Sequence, residues 1–324
     1  MLKQDILKLE AGSGRRRNDL RRQYNRLKYK NFSVKKNAQL LTREYSKHDP
    51  TLPTVVITAG ATGSGKSGLL NKVRELLFDG ESVPFEEFLI DDYVENSSQY
   101  KGKVNNIIQD FNCRFDKQHQ CNLNNPSKSL LDEFATAYFD VRNNGPCNLQ
   151  ENASCRNVMD RDLTNAIAAS KNILIETTGK KLPARYMKHI MEKATTPYNV
   201  VFVYSMVHFG ELMRRNTSRA ERQMETFIKS NYSSPAPRLP DISGHTFKKA
   251  VSAILNIVVK LRNTCLRQRS KCGLINKNGK FVLLVFDNNT WDSKLVYDSR
   301  STDKLMTKSD FERMIYDYTR RMLR

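Results

Sequence analysis

Residues 54–78 read TVVITAGATGSGKSGLLNKVRELLF, and three textures follow one another in that stretch. Val55–Ala59 is a mostly β-branched apolar run of the kind buried on both faces of a parallel sheet. Gly60-Ala61-Thr62-Gly63-Ser64-Gly65-Lys66-Ser67 fits the pattern G-x-x-x-x-G-K-[ST], and the apolar residues beyond it recur at helical spacing, predicting a helix over Lys66–Phe78. Strand, glycine-rich loop and helix, in that order, is the context a phosphate cradle requires. Glycines let successive backbone N–H groups turn toward one anion, and the helix adds the positive end of its dipole. In this reading Gly60 to Ser67 hold a nucleotide, Lys66 reaches the β and γ phosphates of ATP, and the Ser67 hydroxyl is a ligand of Mg²⁺.

Working outward, four further apolar runs read as strands: Phe85–Ile90, Asn172–Ile175, Asn199–Met206 and Lys280–Phe286, with a later LVYDS able to pair with the last. Helices are expected over Met159–Ser170, Pro183–Ala194, Phe209–Ser230 and Gly244–Arg262, and within the elaboration over Leu130–Val141. Buried strands alternating with helices predict an α/β fold of the P-loop NTPase type, a three-layer sandwich with a mainly parallel, five-stranded sheet flanked by helices. The organisation expected is a basic, mainly helical extension over residues 1–50, a P-loop domain over 51–300 and a C-terminal helix over 301–324. A cysteine-bearing insertion occupies about 96–157 of the P-loop domain.

Ligands of open parallel sheets bind beyond the carboxyl ends of the strands, so charged residues there are candidates for chemistry. The second run ends in Asp91 and Asp92; either can take the proton of an attacking hydroxyl, and Asp92, farther past the run, is the first choice. The alternative reading of the pair is a helix N-cap or a turn signal. NILIETTGK ends in Glu176, placed to hold Mg²⁺ together with Ser67, with Thr178 and Lys180 next to it on the substrate side. ELMRRNTSRAERQ supplies Arg214, Arg215, Arg219 and Arg222, the last three on one helical face, and Arg238 follows. As a lid over the γ phosphate, Arg219 and Arg222 are the catalytic candidates, and Arg238 a substrate contact; a solvated stripe is the plain alternative. Asp287, Asn288 and Asn289, ending the fifth run, read first as hairpin-turn residues and second as contacts to the purine.

The formal charge of +20 over 324 residues is carried by the two ends: +9 within residues 1–50 and +8 within residues 256–324. Such ends can hold a nucleic-acid backbone. A hydrophobic content of 39% excludes a wholly disordered chain, and no apolar run approaches the roughly 20 residues of a membrane span. MLKQDILKLE has no apolar stretch of a secretory leader, so a cytoplasmic location with reduced thiols is expected. The six cysteines fall as Cys113 and Cys121, Cys147 and Cys155, Cys265 and Cys272; free or core thiols are the expectation, and a metal site from the first four, with His119 among them, is a remote one.

GATGSGKS, LIDDYVEN, LIETTGK and an arginine-rich lid, in this order, resemble the zeta-toxin-like family of P-loop kinases. The resemblance covers about residues 50 to 290, is sharp only at those motifs, and implies for the 51–300 domain a five-stranded parallel sheet and kinase activity, with transfer of the γ phosphate of ATP, with Mg²⁺, to a hydroxyl of a small molecule such as a nucleotide sugar. It implies Lys66 and Ser67 on the phosphates and Mg²⁺, an Asp after the second strand as base, and Glu176 with Thr178 on the substrate side. The family's Asp-x-Asp is here an adjacent Asp91-Asp92 pair, so both stay candidates, and Lys180 stands where an Arg is usual. Two alternatives use the basic ends: a polynucleotide 5′-hydroxyl kinase, and a nucleotide-gated nucleic-acid-binding protein with little chemistry.

Overall fold

A computed structural model describes residues 48–78, 83–110, 128–148, 150, 152–179, 192–231, 233–237, 244–266, 272–273, 275, 278–290, 292–301 and 308–322. The strands are β1 (Thr54–Ala59), β2 (Glu86–Phe88), β3 (Ile173–Thr177), β4 (Asn199–Met206), β5 (Lys280–Asp287) and β6 (Lys294–Asp298). The helices are α1 (Leu69–Leu77), entered through a 3₁₀ turn at Lys66–Gly68, α2 (Ile90–Glu95), α3 (Ser98–Asp110), α4 (Lys128–Asn143), α5 (Cys155–Ala168), α6 (Phe209–Lys229), α7 (Gly244–Cys265) and α8 (Lys308–Met322). The expected helix over Pro183–Ala194 falls almost wholly outside the described residues.

The sheet runs β2-β3-β1-β4-β5-β6, with six strands rather than the expected five. β2, β3, β1, β4 and β5 are parallel; the sixth is LVYDS, which returns after a turn and pairs antiparallel with β5, Val285 opposite Tyr297. β1 is buried along its whole length because both faces are covered. On one face Val55, Ile57 and Ala59 belong to an apolar cluster that also takes in Leu163 of α5, Val258 of α7 and Phe311 of α8. On the other, Val56 joins Leu69, Leu70, Val73 and Leu77 of α1. The alternation of β1 side chains between two apolar layers is what makes this a three-layer arrangement. α2, α3, α4 and the start of α5 close a further apolar cluster around Tyr100, Phe134 and Tyr138, to which α6 contributes Phe227.

Two expectations are corrected. Residues 85–90 do not form a strand that ends in Asp91 and Asp92: β2 stops at Phe88, Leu89 is extended, and both aspartates lie in the first turn of α2. Carboxylates there face the positive end of the helix, which favours early helix entry over a longer edge strand. The four described cysteines are not thiols: Cys147–Cys155 and Cys265–Cys272 are disulfides, and among the described residues no cysteine is free. The first pair meets because Cys147 N–H donates to the Ala153 carbonyl (2.7 Å), folding the α4–α5 connection back on itself. This consumes two of the four thiols of the candidate metal site; Cys113, Cys121 and His119 lie outside the described residues. Among the described residues no cluster of His, Cys, Asp and Glu fit to hold a metal forms, and no helix is long and apolar enough to cross a membrane.

Candidate functional site

The loop Gly60–Gly65 leaves the carboxyl end of β1 and turns into the 3₁₀ turn that carries Lys66 and Ser67. Gly63 and Gly65 have φ of 82° and 75°, the left-handed region that L side chains rarely adopt. Gly65 is also held by contact: a Cβ there would lie 2.4 Å from Asn288 Nδ2. Glycine is thus demanded twice at the residue before the lysine.

β3 neighbours β1, with Thr58 registered against Glu176, so the Glu176 carboxylate is delivered to the loop. Its two oxygens are shared. Lys66 Nζ lies 3.4 Å from Oε1, and Ser67 Oγ donates to Oε2 at 3.0 Å. Lys66 is 93% buried, its ammonium also directed at the Ala61 carbonyl at 3.3 Å. The cluster therefore joins a cation, a hydroxyl and a carboxylate at one point of a helix entrance. Hydroxyl and carboxylate oxygens are the donors a hard divalent cation such as Mg²⁺ takes, and the amine is the group that meets phosphate oxygens. The residues present fit both groups.

The loop is braced by side chains outside the motif. The Ser64 carbonyl accepts from Ser205 Oγ and from Asn288 Nδ2, both at 2.6 Å. Asn216 Nδ2 donates to the Thr62 carbonyl at 3.0 Å. Arg215, 11% exposed, donates through Nη2 to the carbonyls of Asn288 (2.8 Å) and Asn289 (3.2 Å) and through Nε to Glu211 (2.6 Å). Hydrogen bonds from Arg214 and Arg215 hold the Glu211 carboxyl far below its ordinary value, at about 2. Asp287 and Asn289 keep the turn role expected of them, Asp287 Oδ1 accepting from the Asn289 side chain at 2.7 Å. Asn288 is in addition buried against the Gly60–Gly65 loop.

Sequence reasoning missed Ser205 and Asn216 altogether and named Arg215 only as a lid member. The signal for Ser205 and Asn288 was a polar residue at the carboxyl end of an otherwise apolar run, NVVFVYSM and KFVLLVFDNN. Of the catalytic candidates on α6, Arg219 and Arg222 are exposed, and Arg222 Nε returns to the Ser218 carbonyl at 3.2 Å. The arginine that hydrogen-bonds the Asn288–Asn289 turn beside the Gly60–Gly65 loop is Arg215, one turn earlier. Thr178 is exposed just past β3, where Gly179 (φ 68°) turns the chain and donates to Thr177 Oγ1. Lys180 and Arg238 lie outside the described residues.

Asp91 and Asp92 leave the same edge of the sheet, because Phe88 of β2 is registered with Ile175. They part there. Asp91 is half-buried and accepts a hydrogen bond from the hydroxyl of the buried Tyr138 on α4. Asp92 is exposed and lines a groove with Tyr93, Asn96, Arg161 and Asp162.

No family model and no curated protein matches the chain. Among solved structures, a chain of the PezAT chromosomal toxin–antitoxin system of Streptococcus pneumoniae is similar over 90% of this chain and 96% of its own, at 13% identity and a TM-score of 0.46. A candidate kinase from Chloroflexus aurantiacus is similar over 85% and 100%, at 10% identity and a TM-score of 0.29. A chain of the AvrRxo1-ORF1:AvrRxo1-ORF2 complex with sulphate ions is similar over 87% and 68%, at 11% identity and a TM-score of 0.37.

Proposed function

We propose that the chain is an ATP- and Mg²⁺-dependent kinase that transfers the γ phosphate of ATP to a hydroxyl of a small molecule. The observation that carries this reading is the meeting of Lys66 and Ser67 on the two oxygens of Glu176 at the mouth of a glycine-built loop. A helix entrance of this kind serves any anion; the carboxylate beside it adds the means to hold a divalent cation, and the two together fit a nucleotide triphosphate. Mg²⁺ supplies charge neutralisation on the transferred group.

The chain's own residues do the rest. Backbone N–H groups of Gly60 to Ser67 hold the phosphates, Lys66 turns from Glu176 to the β and γ oxygens, and Ser67 and Glu176 hold the cation. Asp92 accepts the acceptor's proton as the hydroxyl oxygen bonds to the γ phosphorus and the bridging bond to ADP breaks. Asp92 is preferred to Asp91 because it is the exposed one of the pair and stands farther past the end of β2. Arg215 stabilises the loop, while Arg219 and Arg222 form the outer arginines of the lid and Thr178, Lys180 and Arg238 serve the acceptor side.

The test is transfer of label from γ-labelled ATP with Mg²⁺ present. Lys66→Ala should lose at least about 100-fold in transfer while its circular dichroism stays that of the wild type, since a phosphate contact is removed rather than core volume. Asp92→Asn should cut kcat by roughly 10² to 10⁴ with ATP affinity unchanged. Full transfer by Lys66→Ala removes the loop from the reaction; a loss confined to Asp91→Asn moves the base to Asp91.

A further inference from the structure

α3 and α4 each bury one face and present another. The buried faces put Tyr100, Val104 and Ile108 of α3 in one apolar cluster with Phe134, Tyr138 and Val141 of α4. On α3 a second set, Lys103, Asn106, Ile107 and Asp110, recurs at i, i+3, i+4 and i+7, which is a single helical stripe. Glu133, Thr136, Ala137 and Asp140 repeat that spacing on α4. Both stripes, with Phe139, line one groove of about 680 Å³. Its lining stretches, 103–110 and 133–144, are about 10 and 16 Å long at 1.5 Å per residue, or two to three helical turns.

The groove has an apolar floor and an acidic rim. Ala137 is buried and Ile107 partly buried against the cluster, while Phe139, 54% exposed, is the large hydrophobic side chain that the described residues leave to solvent. An exposed ring that adjoins further apolar surface is an anchor point for a partner, unlike one scattered singly. Of the charged lining, Lys103 Nζ lies 2.9 Å from Asp140 Oδ2, and among the described residues neither Asp110 nor Glu133 has an ion-pair partner. One lysine against three carboxylates leaves the groove at −2 on a chain whose formal charge is +20. Two helical faces side by side accept the ridge of a third helix, and an amphipathic helix offers apolar anchors at the same i, i+3, i+4 and i+7 spacing.

We propose that this groove docks a partner protein through a short amphipathic helix that carries lysine or arginine beside its apolar stripe. The stripe packs on Phe139, Ile107 and Ala137, and the flanking cations meet Asp110 and Glu133. An acidic segment is attracted by the chain as a whole and repelled here, so the rim selects the sign of the partner's charge. The proposal stands apart from the kinase reading, since none of these residues belongs to the phosphate loop, to Glu176 or to the aspartate pair.

The experiment uses the full chain and two fluorescent peptides of about three helical turns, with leucine at i, i+3, i+4 and i+7 and either lysine or glutamate at the other positions, read by anisotropy. Overall charge alone sends the glutamate peptide to a chain of +20. The lysine peptide should nevertheless bind at least about tenfold tighter than its twin. Phe139→Ser removes an exposed ring and no core volume, and should weaken the lysine peptide about tenfold, the size of a lost anchor. Asp110→Asn and Glu133→Gln should each weaken it about two- to fivefold at low salt. Binding of the glutamate peptide as tight or tighter, binding of neither peptide, or an unchanged affinity in Phe139→Ser overturns the proposal. Self-association in sedimentation velocity that Phe139→Ser abolishes also overturns it, and makes a second copy of the chain the occupant.

Discussion

Asn288 makes one hydrogen bond that no local motif announces, to the carbonyl of Ser64, and accepts another from Ser293 Oγ at 2.5 Å. Because its amide also occupies the space next to Gly65, it fixes the conformation of the residue before Lys66 from the far end of the chain. Asn288→Ala should therefore cost about 1–2 kcal/mol in urea unfolding. It should also weaken ATP binding roughly tenfold in a titration, whereas truncating a surface residue such as Glu225 should change neither. Unchanged ATP affinity would mean that the loop holds its shape without this brace. Lys66, Ser67 and Glu176 were legible in the sequence because a glycine pattern and an acidic strand end are local signals. Ser205, Asn216 and Asn288 were not, because their role depends on which strands flank β1, and that is decided by pairings across 80 to 230 residues of chain.

At the scale of elements, periodicity read β1, β4, α6 and α7 nearly to their ends, since long runs with one pattern leave little choice. It failed at β2, where a three-residue edge strand and the first turn of α2 share one apolar stretch. It failed also at the cysteines, where the expectation came from a presumed compartment, while the folding of the α4–α5 connection is what pairs Cys147 with Cys155. α6 carries the element-level prediction. Glu211 gathers Arg214 and Arg215 at its first turn, and its carboxyl is lowered from 4.5 to about 2. A group with a depressed folded pKa stabilises the fold fully above its unfolded value and loses that contribution as pH falls through the folded one. Wild type should then exceed Glu211→Gln in thermal stability at pH 6, with the difference shrinking from pH 4.5 downward and gone near pH 2. A difference that persists at pH 2 would assign it to packing instead of charge.

For the whole molecule, the parallel order β2-β3-β1-β4-β5 brings the carboxyl ends of five strands to one edge, and Lys66, Glu176, Ser205 and Asn288 all stand there. The charge is distributed on a different plan. Residues 1–47 hold 14 Lys and Arg against 4 Asp and Glu, which is half of the formal +20, and none of the groups assigned to phosphoryl transfer. A polyanion bound by such a segment releases counterions, so affinity should fall steeply with salt. Phosphoryl transfer, which draws on short-range contacts in a buried cluster, should respond far less. Removing residues 1–47 separates the two. The cut keeps His48, which bonds Thr54 Oγ1 at 3.2 Å and packs edge-on against Phe78. The shortened chain should retain kcat within about twofold. Its log–log salt slope for a single-stranded oligonucleotide, read by fluorescence anisotropy, should flatten by several units, at about 0.7 for each phosphate that the basic segment no longer neutralises. An unchanged slope would place the polyanion site within residues 48–324, and a collapse of kcat would make the basic segment part of the catalytic unit.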